Sequence, residues 1–180
     1  MNSIKQIEVL LADRLVGRLA LTKEGLCAFE YAPDWLGSGF SISPFELPLR
    51  SGVFIAKPRP FEGGFGVFDD CLPDGWGLLI VDRYLQQKGI NPRALTLLDR
   101  LALVGSSGRG ALEFRPDHSV VTRQDYADFE KLALEAERIL GSDEYRGKGI
   151  EEFQDRGGSP GGARPKICLL YTSPSPRDTE

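Results

Sequence analysis

The feature that most constrains this chain is a run of three short apolar segments near its start, each closed by turn-forming residues. Ile7 to Ala12 is followed by Asp13-Arg14, Val16 to Leu21 by Lys23-Glu24-Gly25, and Leu26 to Tyr31 by Ala32-Pro-Asp. Strand-sized segments at this spacing predict an antiparallel β-meander. The stretch Ala32 to Gly39 breaks the pattern with Pro33, Gly37 and Gly39. Phe40 to Leu49 carries Pro44 and Pro48, which suits an extended edge segment or a loop.

Helical periodicity then takes over. Trp76, Leu79, Ile80, Arg83 and Tyr84 share one face of a helix over Leu78 to Lys88, with Gly89 as its stop. Asn91-Pro92 reads as an N-cap with a first-turn proline, opening a second helix striped by Leu95, Leu98, Leu101 and Ala102. That helix ends before Gly105, and Ala111 to Phe114 reads as a strand. A third helix is predicted from Thr122, with Asp125 as a weak capping partner. Its buried face is Tyr126, Phe129, Leu132, Ala133, Ala136, Ile139 and Leu140, and Gly141 is its stop. Ser142 to Arg156 is charged and weakly periodic, as expected of a connecting segment. Strands first and helices later give an α+β class: an antiparallel, β-rich subdomain with packed helices.

Length and charge narrow the function classes. A chain of 180 residues with 41% hydrophobic positions can bury a core without disulfide or metal staples. No apolar run reaches the roughly 20 residues of a membrane helix, and the first residues do not read as a signal peptide. A net charge of -4 argues against a dedicated nucleic-acid binder. Cys27, Cys71 and Cys168 are far apart and form no CxxC or Cys/His cluster, so neither a zinc site nor a disulfide framework is expected. That usage fits a reducing cytoplasm.

Few residues invite a chemical reading. His118, the single histidine, lies in Arg115-Pro-Asp-His-Ser119 and reads as an exposed loop residue. Asp69, Asp70 and Asp74 could be read as catalytic carboxylates; the plainer reading places them near a helix N-terminus, where the macrodipole favours them. Trp35 and Trp76 are expected as core or interface anchors rather than ligand stackers. Gly105 to Gly110, with Arg109, reads as a structural turn in a helix-loop-strand setting.

The richest segment is Gly157-Gly-Ser-Pro-Gly-Gly-Ala-Arg-Pro-Lys166. Clustered glycines can present consecutive N–H groups to an anion, and Lys166 could meet a phosphate oxygen. The segment is neither a Walker A motif nor GxGxxG, and Pro160 and Pro165 remove two donors. From the residues alone, a phosphate cradle and a flexible interdomain loop both remain open.

Three motifs in order carry a resemblance. Phe68-Asp-Asp-Cys-Leu-Pro-Asp-Gly-Trp76, Val104-Gly-Ser-Ser-Gly-Arg-Gly-Ala111 and Gly158-Ser-Pro-Gly-Gly-Ala-Arg-Pro-Lys166 together resemble the N-terminal part of HipA-family proteins, the kinase-like toxins of HipA/HipB toxin–antitoxin systems. The resemblance covers Met1 to Ile167. It implies a two-lobed, kinase-related fold whose glycine-rich loop covers the phosphates of ATP in the presence of Mg2+. Ser159, Gly161, Gly162, Ala163, Arg164 and Lys166 match that loop. Ser159 matches a serine whose autophosphorylation switches such proteins off, because a phosphoserine brings negative charge into a phosphate site. The implied partners are a HipB-like helix-turn-helix antitoxin, with DNA reached only through it, and a protein substrate such as an aminoacyl-tRNA synthetase. The family's catalytic and metal-binding aspartates lie beyond the loop and match no residue here, so no kinase activity is expected of the 180-residue chain alone.

The expected organisation is an N-terminal subdomain over 1–141, a linker and the start of an ATP-binding core over 142–167, and a tail over 168–180. Cys168 to Asp178 is similar to one reading frame of a transposon sequencing adapter, so the natural coding sequence is expected to end near Ile167. An alternative reading is a stand-alone interaction module that binds an antitoxin or a separate kinase core. The blandest is a soluble α+β domain without an assigned role.

Overall fold

The computed structural model describes residues 4–73, 75–108 and 110–119, together with Arg138 and Gly141. Three strands follow one another as the meander predicts: β1 (Gln6–Leu11), β2 (Arg14–Leu21) and β3 (Cys27–Tyr31). Then come α1 (Pro33–Ser38), β4 (Val53–Ile55), α2 (Gly66–Asp69) and α3 (Gly75–Gln87). A 3-10 turn (Pro92–Ala94), α4 (Leu97–Val104) and β5 (Leu112–Arg115) complete the order. The strands form one sheet in the order β4-β3-β2-β1-β5, and every pairing is antiparallel. The α+β class read from the sequence is the observed one.

Alternation explains how the sheet divides its faces. Ile7, Val9, Val16, Leu19, Cys27, Phe29 and Tyr31 turn inward and are buried. Between Val9 and Leu10 the β1–β2 register shifts, and both residues are buried; an extra residue in one strand interrupts the alternation in this way. On the outer face Arg18 lies opposite Glu8 on one side and Glu30 on the other, and Glu8 also faces Arg115. Opposite charges in cross-strand register favour this pairing over its slips.

The core is aromatic and lies between the sheet and the later helices. Phe68 of α2 sits 5.4 Å from Phe29, 6.0 Å from Phe65 and 6.4 Å from Phe114 between ring centroids. Phe29 meets Tyr31 edge-on at 4.9 Å, the quadrupole-favoured geometry. The buried Leu98 and Leu101 of α4 close the same cluster. Tyr31 also organises the loop that follows α1: its hydroxyl donates to Leu47 O at 2.6 Å and accepts from Ile42 N at 3.1 Å. Gly17 is glycine because a Cβ there would meet Glu30 O and the Phe29 ring across the strand pair.

Several elements differ from the sequence reading. The segment expected only to break the pattern contains α1, started by Pro33 at its first turn with Asp34 beside it, both good helix-opening choices. β4 was not expected at all; three residues are too few for a period to register. Asn91 does cap, but it caps the 3-10 turn. Thr96 caps α4 through a reciprocal box with Asp99, so Leu95 lies before the helix. In α3 Trp76, Ile80 and Arg83 are buried as expected, whereas Leu79 and Tyr84 are only partly so, and Leu85 is also buried. Gly141, expected as a stop, is itself helical, within the one or two residues by which helix ends vary, and the residues after it lie outside the described ones. The rest of the expected third helix, the linker, the Gly157–Lys166 segment and the tail lie outside the described residues.

Candidate functional site

The residues proposed from sequence for a phosphate loop (Ser159, Gly161, Gly162, Ala163, Arg164 and Lys166) lie outside the described residues, as do Asp74 and Arg109. The second glycine loop, after α4, is largely described and is a closed turn. Gly105 N donates to Leu101 O, Ser107 N to Val104 O, and Ser106 N to Asp117 Oδ2. The Asp117 carboxylate also accepts from Ser106 Oγ and from Ser119 N. Desolvation pushes its pKa up, but the hydrogen bonds from Ser106 and Ser119 outweigh it and hold the carboxyl below its ordinary value. Among the described residues, three consecutive amides are spent and a carboxylate sits beside them, an arrangement that disfavours a phosphate at Gly105 to Ser107. The structural reading of this loop is the observed one.

The aspartates before α3 depart from expectation. Asp69 is the last residue of α2 and Asp70 its C-cap, five or more residues ahead of α3. In this four-residue helix Asp69 belongs to the first turn as well as the last, while Asp70 stands at the C-terminal end rather than at the N-terminus expected for it. The Asp69 carboxyl is pushed up by desolvation, then by the neighbouring Asp70 and Glu62 carboxylates. This is the opposite of what a helix N-terminus does to an acid.

Asp69 and Glu62 edge an open groove of 550 Å³ between the turn after α2, α3 and α4. Its floor is apolar, built from Leu72, Leu78, Val81, Leu97, Leu103 and Val104. Arg100 reaches it from α4 but is engaged, donating to Asp82 Oδ1 at 3.3 Å and to Pro92 O at 2.9 Å. Two carboxylates at the rim and a committed guanidinium make this a poor seat for an anion. No sequence motif marks Glu62 or Arg100. The groove brings together residues from three separate segments, and no periodicity in the sequence records that.

The remaining candidates have structural roles. Burial pushes the Cys27 thiol up to about 11, and burial with the Asp70 charge does the same to Cys71, also to about 11. Protonated thiols at neutral pH are poor nucleophiles. His118 is exposed as expected, and its backbone N–H donates to Ala102 O at 2.8 Å. Asp99 is raised by burial yet lowered overall by hydrogen bonds from Ile4 N–H and Thr96 and by the His118 charge. It ties the N-terminal segment to the start of α4. Trp35 is a core anchor as expected, its indole N–H donating to Phe40 O at 2.9 Å. Trp76 is likewise buried. Among the described residues no group of three or more His, Cys, Asp or Glu is arranged to hold a metal ion. Among them, too, no helix is long and apolar enough to cross a membrane.

Known proteins similar to this chain come from two comparisons. A solved structure of the HipA, HipB and operator DNA complex from the Shewanella oneidensis MR-1 toxin–antitoxin system matches with 21% identity and a TM-score of 0.49. The match covers 79% of this chain and 32% of that one, so the chain spans about a third of that protein's length. A family model described as the HipA N-terminal domain matches residues 7–115. The matched range opens inside β1 and closes on the last residue of β5, so it encloses the five-stranded sheet and all its intervening helices. With more than half of its length covered in this way, the chain belongs to the HipA N-terminal domain family.

Proposed function

We propose that this chain supplies the N-terminal region of a HipA-like serine/threonine protein kinase, the toxin of a toxin–antitoxin pair. In this reading the longer protein works in the cytoplasm and transfers the γ-phosphoryl group of ATP, with Mg2+, to a translation-related protein such as an aminoacyl-tRNA synthetase. The observation that carries the reading is the family match over residues 7–115, which takes in every strand of the sheet. Residues 1–141 then form the N-terminal subdomain, and 142–167 lead into the ATP-binding core. Among the described residues, burial raises both cysteine thiols to about 11, and Asp117 closes the glycine turn, which supports a binding rather than a reacting role. Such a domain acts by binding and positioning. The partner proposed for it is a HipB-like helix-turn-helix antitoxin, with DNA reached only through that protein.

ATP supplies the transferable phosphoryl group, and this chain's part is to hold its phosphates. Gly161 and Gly162 would offer unhindered backbone N–H groups, and Arg164 and Lys166 positive charge. Ser159 is the proposed autophosphorylation site. Lys166→Ala in the longer protein should weaken ATP binding about ten- to a hundredfold, the scale of losing one hydrogen bond to a charged group. Calorimetric titration with ATP and Mg2+ checks this, and an unchanged Kd removes the phosphate-loop assignment.

A further inference from the structure

Among the described residues, the five-stranded sheet ends on one side at β4, which pairs only with β3. Ala56 N donates to Cys27 O at 2.8 Å, and Phe54 pairs with Phe29 two residues along the same ladder. Antiparallel ladders alternate, so Phe54 directs its backbone groups to β3 while Val53 and Ile55 direct theirs away from the sheet. The side chains of those two residues are 56% and 61% exposed. Phe45, 99% exposed, and Phe40, 58% exposed, add apolar surface on the loop leading to the strand. Large exposed apolar side chains beside unpaired strand backbone form a template for another strand.

Charge selects among the strands that could pair there. Arg50 precedes β4, and Lys57 and Arg59 follow it, all three exposed. Of the acids nearby, Glu46 accepts from Gly66 N at 2.9 Å, and Glu30, exposed and in register with Arg18 on one side and Val53 on the other, sets one carboxylate against the three cations. Antiparallel pairing with a second copy of β4 would set two Arg50–Lys57–Arg59 sets against each other with a single Glu30 carboxylate beside each, which is unfavourable. An acidic strand meets the same three cations with opposite charge.

We propose that the β4 edge receives an extended, acidic segment of a partner protein, which adds a sixth strand to the sheet. Backbone pairing occurs at Val53 and Ile55, alternate apolar side chains of the segment lie on their exposed faces, and its carboxylates meet Arg50, Lys57 and Arg59. This form of recognition takes affinity from main-chain hydrogen bonds and selectivity from side chains. Lys57 and Pro58 end the strand after three residues, which limits open-ended stacking but leaves both outward-facing residues available. The proposal does not depend on the kinase reading and stands or falls on a separate measurement.

The test uses the 180-residue chain and a synthetic peptide of alternating glutamate and valine, with an alternating lysine and valine peptide as comparison. Amide hydrogen exchange is read residue by residue. The expected result is exchange at Val53 and Ile55 slowed about tenfold by the acidic peptide, falling with added salt, and unaffected by the basic one. Ile55→Pro, which removes an outward N–H and no internal bond, should abolish that protection. The exposed double variant K57E/R59E, chosen because it leaves the core untouched, should reverse the peptide preference. The proposal is overturned if the acidic peptide gives no protection, if both peptides protect equally, or if K57E/R59E keeps the original preference. It is also overturned if Val53 and Ile55 are already protected in the free chain, whether by the chain's own segments or by self-association.

Discussion

Phe68→Ala should lower the unfolding free energy by about 3–5 kcal/mol, the range for truncating a fully buried phenylalanine. Phe68 has no exposed surface and, among the described residues, is the one ring that meets Phe29 of β3, Phe65 and Phe114 of β5. Removing it leaves a void between the sheet and the helical layer that the flanking rings cannot fill, because each is held by its own strand or turn. Phe68→Leu, which keeps most of the volume, should cost clearly less. Urea denaturation followed by tryptophan fluorescence measures both, with an unchanged m-value marking a true loss of stability. Equal costs for the two variants would mean that Phe68 is not packed as described.

Gly105→Ala should cost about 3–4 kcal/mol, combining backbone strain with overpacking. Gly105 has φ +51 and ψ −121, a region that side-chain-bearing residues avoid. A Cβ at this position would also run into the Asp117 carboxylate. To relieve that contact Asp117 must move, releasing the Ser106 and Ser119 bonds that close the turn. Gly110→Ala is the matched control: the nearest atom to its Cβ would be Cys71 Sγ at 3.7 Å, ordinary contact distance. Thermal unfolding of the two variants should therefore differ by several degrees or more, since each kcal/mol shifts Tm by roughly 2–4 °C in a chain of this size.

These two positions also show what sequence reasoning reaches. Gly105 was legible as a helix stop because glycine after an apolar stripe has one dominant reason to be there. The meander was legible because three apolar segments and their turns are local signals, and the observed strands fall within a residue or two of them. Asp117 was not legible as a partner of Gly105, since their contact joins residues twelve apart through a turn with no motif. β4 failed for a different reason. Its three residues follow two prolines and a Ser51-Gly52 turn, and they are a strand only because β3 offers an edge. The α3–α4 groove is harder still to read, because Glu62, Asp69 and Arg100 come together only when α2 and α4 dock. The glycine-rich segment carries a chemical signal with little structural one. Its glycines and Lys166 left a phosphate cradle and a flexible loop both open; the resemblance to HipA-family proteins named the candidates, and their part in phosphate binding remains a proposal about the longer protein.

The most direct test of the proposed kinase role is phosphosite mapping by mass spectrometry. The longer protein carrying this domain is incubated with ATP and Mg2+, with the 180-residue chain treated in parallel. The expected result is ATP-dependent phosphate on Ser159 of the longer protein and none on the 180-residue chain. A longer protein that places no phosphate on Ser159, or on serine or threonine of any translation-related protein supplied to it, would contradict the proposal.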